Sequence, residues 1–319
     1  MLRRAVKSYF QYSFTNSRAF STNARCSMRL VQFIENNVTG LEHAKVGVEL
    51  SDGAGIVDLA SYDSSIPKDM VTFLGGGAAM LDIAKRAVAS GQHVVRRDNI
   101  KLKAPITNPD KVLCIGNNYA DHCAEQGIPV PTEPVIFSKF SSTIIGPGED
   151  ILYPETSDEI DWEVELVVVI GRAGKNIQVS DAMNHVVGFT VGHDVSARDW
   201  QLKKNGGQYL IGKSMDTFCP IGPAIVTKDE ITDPHKLGIR CKVNGDTMQD
   251  SNTNQLVFKT EALVSFISRF LTLQPGDIIL TGTPPGVGVF HKPNPIFLKR
   301  GDVVDCEIDG LGTLSNKVI

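Results

Sequence analysis

The sequence predicts a β-rich α+β fold, and two observations support this prediction. From Val112 onward, short runs rich in β-branched and aromatic residues alternate with turns that contain Gly and Pro. Few helical patterns interrupt these runs, the clearest at residues 260–271, and strands do not alternate regularly with long helices. The pattern therefore disfavours a doubly wound parallel sheet and favours an α+β architecture.

Composition limits the class of protein. The chain has 319 residues, 42% of them hydrophobic, and a formal net charge of −4. This suits one large domain, or one with a small companion, and excludes a disordered or fibrous protein. The longest strongly apolar runs, such as residues 166–170, are too short to span a membrane. The charge gives no general attraction to nucleic acid. The six cysteines lack metal-knuckle spacing, which indicates reduced packing thiols.

The first 34 residues differ from the rest because they contain basic but no acidic residues. Hydroxyl and aromatic residues are interleaved with the bases, and the continuous apolar core of a secretory signal is absent. Arg18-Ala19-Phe20-Ser21 resembles a matrix-processing site. We therefore predict a mitochondrial presequence over residues 1–20, unstructured chain to about residue 27, and a matrix location. The alternative is a disordered basic tail.

The elements follow in chain order. Residues 28–100 are predicted to form a small N-terminal α+β domain, with antiparallel strands over 28–60 and a helix over 70–89 that is interrupted at Gly75–Gly77. A linker over 96–111 leads to the catalytic domain, residues 105–319. Its predicted strands cover residues 112–116, 135–140, 164–170, 186–194, 223–227, 239–249, 277–281 and 303–308. Asn244-Gly245 predicts a hairpin turn.

Carboxylates cluster at the ends of two predicted strands. Glu163 and Glu165 precede and enter the apolar run 166–170, and alternate residues of a strand share one face. Two adjacent carboxylates at a buried strand repel each other unless a cation lies between them. Asp194 ends another apolar strand and completes a set of three oxygens, which suits Mg²⁺ or Mn²⁺. A solvent-facing edge is the alternative.

Two further groups have spacings that suit catalysis or substrate binding. His122 and Glu125 meet on one face if residues 117–125 are helical, and Glu125 would then orient His122 as a general base. Ser196 is predicted to cap a short helix that carries Arg198 and Gln201 on one face. The alternative for each group is a set of ordinary surface residues.

Two glycine-containing segments remain. Residues 207–214 match the phosphate-loop pattern, but the residues before them are polar and those after them cannot form a long helix, so nucleotide binding is disfavoured. Residues 279–288 form a strand that turns into a stiff Gly/Pro loop. Its amides and the Thr283 hydroxyl are candidates for holding a carboxylate, although the segment is also compatible with a simple turn.

Taken together, the motifs resemble the fumarylacetoacetate hydrolase family. They occur in the family's order over about residues 105–319: Asn118-Tyr119, His122, Glu125, Phe137-Ser138-Lys139, Trp162-Glu163, Glu165, Asp194, Arg198, Gln201, Gly212-Lys213-Ser214 and Thr281-Gly282-Thr283-Pro284. The resemblance implies a catalytic domain with a mixed β-sandwich or roll, usually dimeric. It also implies the metal ligands Glu163, Glu165 and Asp194.

The resemblance further implies the roles of the other residues. Lys213 would face the developing enolate, and His122 with Glu125 would form a dyad on a mobile lid. The substrate-binding set would be Lys139, Arg198, Gln201 and Thr283. The implied activity is enolate formation from a small 2-oxo acid or dicarbonyl compound with Mg²⁺ or Mn²⁺, foremost as an oxaloacetate keto–enol tautomerase.

Three other functions remain open at this stage. An acylpyruvate hydrolase and an oxaloacetate decarboxylase would use the same enolate, and a metal-binding scaffold would not be catalytic. Acylpyruvate-cleaving members often have a basic residue where this chain has Asn117, which weakens that alternative. The predicted assembly is a homodimer, with neither a nucleic-acid partner nor a membrane span.

Overall fold

The structure is a computed structural model that describes residues 28–50, 53 and 55–319. The predicted presequence over residues 1–20 lies outside the described residues. Within the described ranges, every helix is too short or too polar to cross a membrane.

The N-terminal part contains antiparallel strands, as the alternation over residues 28–60 predicts. Its elements are β1 (Arg29–Glu35), β2 (Lys45–Glu49), β3 (Ile56–Asp58), α1 (Leu59–Tyr62), α2 (Met70–Gly75), α3 (Gly77–Ser90), β4 (Val94–Val95) and β5 (Ile100–Lys103). The predicted interruption at Gly75–Gly77 separates α2 from α3, because Gly77 adopts a left-handed φ of +59°. Gly91, with φ of +63°, ends α3.

The C-terminal part contains most of the strands, and each predicted strand region holds at least one. Its strands are β6 (Val112–Gly116), β7 (Val135–Lys139), β8 (Ile144–Ile145), β9 (Ile160–Asp161), β10 (Val164–Ile170), β11 (Val186–His193), β12 (Ser196–Ala197), β13 (Cys219–Thr227), β14 (Gly238–Val243), β15 (Asp246–Asn252), β16 (Ile278–Leu280), β17 (Val303–Ile308) and β18 (Gly312–Lys317). Its α-helices are α4 (Ala120–Gln126), α5 (Tyr209–Lys213) and α6 (Thr260–Ser268). Asn244 and Gly245, both with positive φ, join β14 to β15, which confirms the hairpin.

A large mixed sheet forms the centre of the molecule, in the order β4-β3-β2-β1-β13-β11-β10-β16-β6-β7. β1 pairs with β13, so strands from both predicted domains share this sheet. Within β10, Val164, Leu166 and Val168 pack in one hydrophobic core, whereas Val167 and Val169 pack in another. Because both faces of β10 are covered, its sequence is continuously apolar from Leu166 to Ile170.

A second sheet, in the order β15-β14-β17-β18, covers one face of the large sheet. Ile239 of β14, Val304 of β17 and Leu314 of β18 share a core with Leu166 and Val168 of β10. Two sheets packed through a common core, with few helices, confirm the predicted β-rich α+β class.

The segment after β11 differs from its prediction. Ser196 does not cap a helix; it lies in β12, pairs with Asp161 of β9, and donates its hydroxyl to the carbonyl of Asp194 at 2.9 Å. The helical turn starts later, at Asp199–Lys203, and is wound as a π-helix. The prediction was wrong because a serine that precedes a short helix can also satisfy its hydroxyl within a local strand.

Candidate active site

Three carboxylates meet where β10 begins and β11 ends. Glu163 and Glu165 lie at the start of β10 and Asp194 follows β11, and each offers an oxygen within 4.8 Å of the others. All three side chains are buried. The amide of Asp194 donates to the carbonyl of Glu163 at 2.9 Å, which fixes the two strand ends together. The antiparallel pairing thus brings the three predicted metal ligands to one place.

Two buried lysines lie against this cluster. Nζ of Lys213 is 2.7 Å from Oε2 of Glu163 and 2.8 Å from Oδ2 of Asp194. Nζ of Lys139 is 2.5 Å from Oδ1 of Asp194 and donates to the carbonyl of Val195 at 3.0 Å. Asp194 is therefore held between two desolvated ammonium groups.

Glu165 has no ion-pair partner among the described residues, although the amide of Gly282 donates to it at 2.7 Å. Burial, together with Asp194 and Glu163, raises the pKa of Glu165 well above its usual value. At Glu163 burial acts in the same direction, but Lys213 and Arg198 outweigh it and lower the pKa to about 2.

The cluster therefore lacks one positive charge beside Glu165. A divalent cation between the carboxylates would supply that charge, and an all-oxygen donor set suits a hard cation better than Zn²⁺. The residues present fit a divalent metal ion.

A cavity opens beside the carboxylates. The predicted site residues that line it are His122, Glu163, Glu165, Arg198, Gln201, Lys213 and Thr283. Phe137, Tyr209 and Phe290 contribute aromatic walls. Lys139 does not line this cavity, because its side chain lies behind Asp194.

His122 and Glu125 form the predicted pair on α4. Nδ1 of His122 is 2.8 Å from Oε2 of Glu125, whose Oε1 accepts the amide of Gly286 at 2.9 Å. This pairing fixes the imidazole and leaves Nε2 as the ring nitrogen for proton transfer in the cavity. α4 is also tied to β15, since Ser251 donates its hydroxyl to Asp121 at 2.6 Å.

Arg198 connects the metal-binding residues to the substrate side of the cavity. Its Nε is 2.7 Å from Oδ2 of Asp161, and its Nη1 donates to the carboxamide oxygen of Gln201 at 2.8 Å. Its Nη2 lies 2.7 Å from Oε1 of Glu163. The two groups form an ion pair, but the angles at this contact are not those of a hydrogen bond. Because Arg198 occupies the oxygen of Gln201, the amide NH₂ of Gln201 remains as a donor for a ligand.

Thr283 lies on the opposite wall. Its hydroxyl donates to the carbonyl of Val164 at 2.9 Å and accepts Nε2 of Gln249 at 2.8 Å. In this geometry Thr283 can offer a ligand a lone pair but not its hydroxyl proton.

Sequence reasoning missed two buried residues that organise the site. Asp161 accepts four hydrogen bonds, from the amides of Trp162, Gly288 and Val289 and from Nε of Arg198, at 2.7–2.9 Å. A signal existed, because Asp161 begins the run that leads into Glu163. Gln249 also accepts the amide of Val164 at 3.0 Å. It belongs to a hairpin distant in sequence from the carboxylates, and no motif around it indicated a site residue.

The phosphate-loop match has another explanation. Lys213 ends α5, a helix of five residues that follows a 3-10 turn at Asn205–Gly207 rather than a strand. Its ammonium group contacts two carboxylates, and these carboxylates raise its pKa although burial opposes the charged form.

Comparison with known proteins agrees with this geometry. The family model "Fumarylacetoacetate (FAA) hydrolase C-terminal" matches residues 111–319. The mitochondrial oxaloacetate tautomerase fahd2 of Xenopus laevis is 61% identical over 302 residues, which cover 95% of this chain and 93% of that protein.

Two solved structures share the fold. Fumarylacetoacetate hydrolase from Exiguobacterium antarcticum is 34% identical, with a TM-score of 0.78, and the match covers 92% of this chain and 99% of that one. Maleylpyruvate hydrolase from Sphingobium sp., in complex with manganese(II) and pyruvate, is 28% identical, with a TM-score of 0.74 and the same coverage. The family model covers the C-terminal part, the relatives span both parts of the chain, and the chain belongs to the fumarylacetoacetate hydrolase family.

Proposed function

We propose that this chain is a mitochondrial oxaloacetate tautomerase that interconverts the enol and keto forms with Mg²⁺, or Mn²⁺, in the carboxylate site. One observation carries the proposal: Glu163, Glu165, Lys213 and His122 line a single cavity, while Asp194 contacts Lys213 and Glu125 contacts His122. An enolising enzyme needs this combination, because it must stabilise negative charge on oxygen and carry a proton to or from carbon. The name of the 61% identical Xenopus relative supports the same substrate.

Glu163, Glu165 and Asp194 would hold the metal ion. When bound, the ion supplies positive charge to the carboxylate and keto oxygens of a 2-oxo acid. The manganese(II) and pyruvate in the maleylpyruvate hydrolase structure support both the metal and this ligand class, since pyruvate is itself a 2-oxo acid.

Protein side chains stabilise the developing charge and transfer the proton. Lys213, fully desolvated, stabilises the negative charge that develops on the C2 oxygen of oxaloacetate. In the enol-to-keto direction His122 gives a proton to C3, and the C2 hydroxyl releases its own proton to solvent. Glu125 keeps the His122 imidazole oriented through Nδ1.

The members of the predicted substrate-binding set contribute unequally to holding the substrate carboxylates, because the Thr283 hydroxyl proton is already donated to Val164 and Lys139 does not line the cavity. Arg198 already uses Nε for Asp161, Nη1 for Gln201 and Nη2 for Glu163, so few of its N–H groups are free for a ligand. We therefore assign the main polar contact to the amide NH₂ of Gln201, with Thr283 closing the opposite wall. Lys139 acts through Asp194, whose oxygen it fixes, rather than by touching substrate.

A non-catalytic scaffold is a weaker explanation of the same residues. Burying three carboxylates and two lysines costs free energy that only specific pairing offsets. A protein that serves assembly alone has no need for such a cluster beside an open cavity.

The test uses the purified full-length chain with enol-oxaloacetate and Mg²⁺. We expect enol absorbance to decay faster than without protein, with neither CO₂ nor pyruvate released. Glu163→Gln should abolish the acceleration, whereas Glu133→Gln, which changes an exposed carboxylate outside the site, should not. Release of CO₂ would instead indicate a decarboxylase.

A hydrolase is the second candidate, and the similarity to maleylpyruvate hydrolase favours it. Cleavage of acetylpyruvate to pyruvate and acetate, faster than the oxaloacetate reaction, would replace the tautomerase proposal. The absence of such cleavage would leave tautomerisation as the activity.

Assembly and location complete the proposal. β7 lies at the edge of the large sheet, and Val135, Ile136 and the neighbouring Phe140 are exposed there. We propose that a second copy covers this edge in a homodimer, because exposed apolar edge strands promote association. Light scattering should give twice the chain mass, and Ile136→Lys should lower it. Deletion of residues 2–20 should prevent import into isolated mitochondria.

A further inference from the structure

A second cavity lies far from the carboxylates. It occupies about 300 Å³ between α3 and the end of the large sheet where β10 finishes and β11 begins. Most of its wall is apolar, from Met28, Leu74, Ala78, Leu81, Val186 and Val187. Val186 and Val187 begin β11, which ends beside Asp194, and Gly171 follows the end of β10, which begins beside Glu165. The cavity, here called the α3 groove, is therefore separate from the active site.

The mouth of the α3 groove is positively charged. Among the described residues, its lining includes Lys85, Arg172, Lys228 and one acidic residue, Asp229, and Lys85 pairs with Asp82 at 3.5 Å. Lys228 is half-buried, and its Nζ donates to the carbonyl of Met183 at 2.5 Å. Neither Lys228 nor Arg172 forms an ion pair with any residue in the described part of the chain.

The buried charge of Lys228 is therefore only partly compensated. Burial lowers the pKa of Lys228, and the charge of the neighbouring Asp229 offsets this only in part. An anionic ligand atom at the mouth would supply the missing counter-charge. The apolar wall behind it requires that the rest of the ligand be apolar, since a ligand pocket gains most of its affinity from buried apolar surface.

We propose that the α3 groove binds a medium-chain fatty carboxylate, with its chain between α3 and β11 and its carboxylate beside Lys228 and Arg172. This inference does not depend on the proposed tautomerase activity. Charge complementarity selects the carboxylate end, and the apolar wall selects the chain.

The chain's own N-terminal segment is a poorer occupant. Met28 lines the groove, and residues 21–27 immediately precede it with the sequence Ser-Thr-Asn-Ala-Arg-Cys-Ser. This segment is polar and contains Arg25, so it offers neither an apolar chain nor a counter-charge to the mouth.

The test is calorimetric titration of the full-length protein with octanoate, octanol and octylamine, which share one chain length and differ in charge. We expect octanoate to bind at least about tenfold more tightly than octanol, and octylamine to bind most weakly. Lys228→Met and Arg172→Met should each weaken octanoate about tenfold. Lys68→Met, an exposed lysine outside the groove, should change nothing.

Two further measurements locate the site and check the fold. Leu81→Trp should fill the groove and abolish octanoate binding, and all four variants should keep the wild-type rate with enol-oxaloacetate. Equal affinity for octanoate and octanol, or binding unchanged by Lys228→Met and Leu81→Trp, would overturn the proposal. Binding that occurs only after removal of residues 1–27 would assign the groove to that segment and also overturn it.

Discussion

Asp161 offers the sharpest test of how the active site is held together. This carboxylate is fully buried and receives hydrogen bonds from Arg198 and from the amides of Gly288 and Val289. It thereby joins the arginine beside Glu163 to the loop that carries Phe290, a wall of the cavity. Asp161→Asn keeps the shape of the side chain but removes its charge and replaces one acceptor with a donor.

The structure sets the expected magnitude. Breaking a buried ion pair by removing one partner typically costs about 3–5 kcal/mol of unfolding free energy. Arg198 would not be left alone, because Glu163 remains 2.7 Å from its Nη2. We therefore expect the lower end of that range, about 3 kcal/mol. Since Gln201 and the loop lose their anchor, KM for enol-oxaloacetate should rise more than kcat falls.

Denaturant unfolding and steady-state kinetics measure the two effects. Asp158→Asn is the matched control, because Asp158 is an exposed carboxylate three residues earlier in the chain. A loss of stability below about 0.5 kcal/mol, or an unchanged KM in Asp161→Asn, would refute the anchoring role.

The remaining predictions concern the metal, the chemistry and pH. In a thermal-shift assay, Mg²⁺ should raise the melting temperature of the wild type but have little effect on Glu163→Ala. Lys213→Met should lower the rate of enol-oxaloacetate decay by about 10²–10³. His122→Ala should lower NMR-detected deuterium incorporation at C3 by about 10²–10⁴ if His122 carries the proton; unchanged incorporation would remove it from that role. His235 accepts the amide of Thr260, and burial lowers its pKa, so folding disfavours the protonated ring. Stability to denaturant should therefore fall as pH decreases below about 6.5, and His235→Gln should remove this dependence.

The sequence predicted those parts of the molecule that depend on local patterns. The i, i+3 spacing of His122 and Glu125 determines that they share a helix face, and the structure places them 2.8 Å apart. The period of two along a strand likewise determines that Glu163 and Glu165 share a face. The conformation of Ser196 could not be predicted from neighbouring residues, because Ser196 pairs in a strand with Asp161, 35 residues away.

Contacts between distant segments were not predictable from the residues alone. Gln249 reaches Thr283 and the amide of Val164 only because the second sheet packs over β10. Lys139 resembled a substrate-binding residue by its motif, yet its side chain lies behind Asp194. Such positions depend on sheet order and packing, for which a single sequence carries no direct signal.

The carboxylates themselves help to fix the register on which the site depends. Both faces of β10 are apolar from Leu166 to Ile170, so these hydrophobic residues alone would tolerate a shift by one residue. That shift would move Glu163 and Glu165 to the other face. They would lose Lys213, Arg198 and the amide of Gly282, and two carboxylates would be buried without partners, at a cost of several kcal/mol. The ionic groups that serve catalysis therefore also disfavour the competing register, because the native alignment of β10 is the one that brings Glu163 to Lys213 and Glu165 to the amide of Gly282.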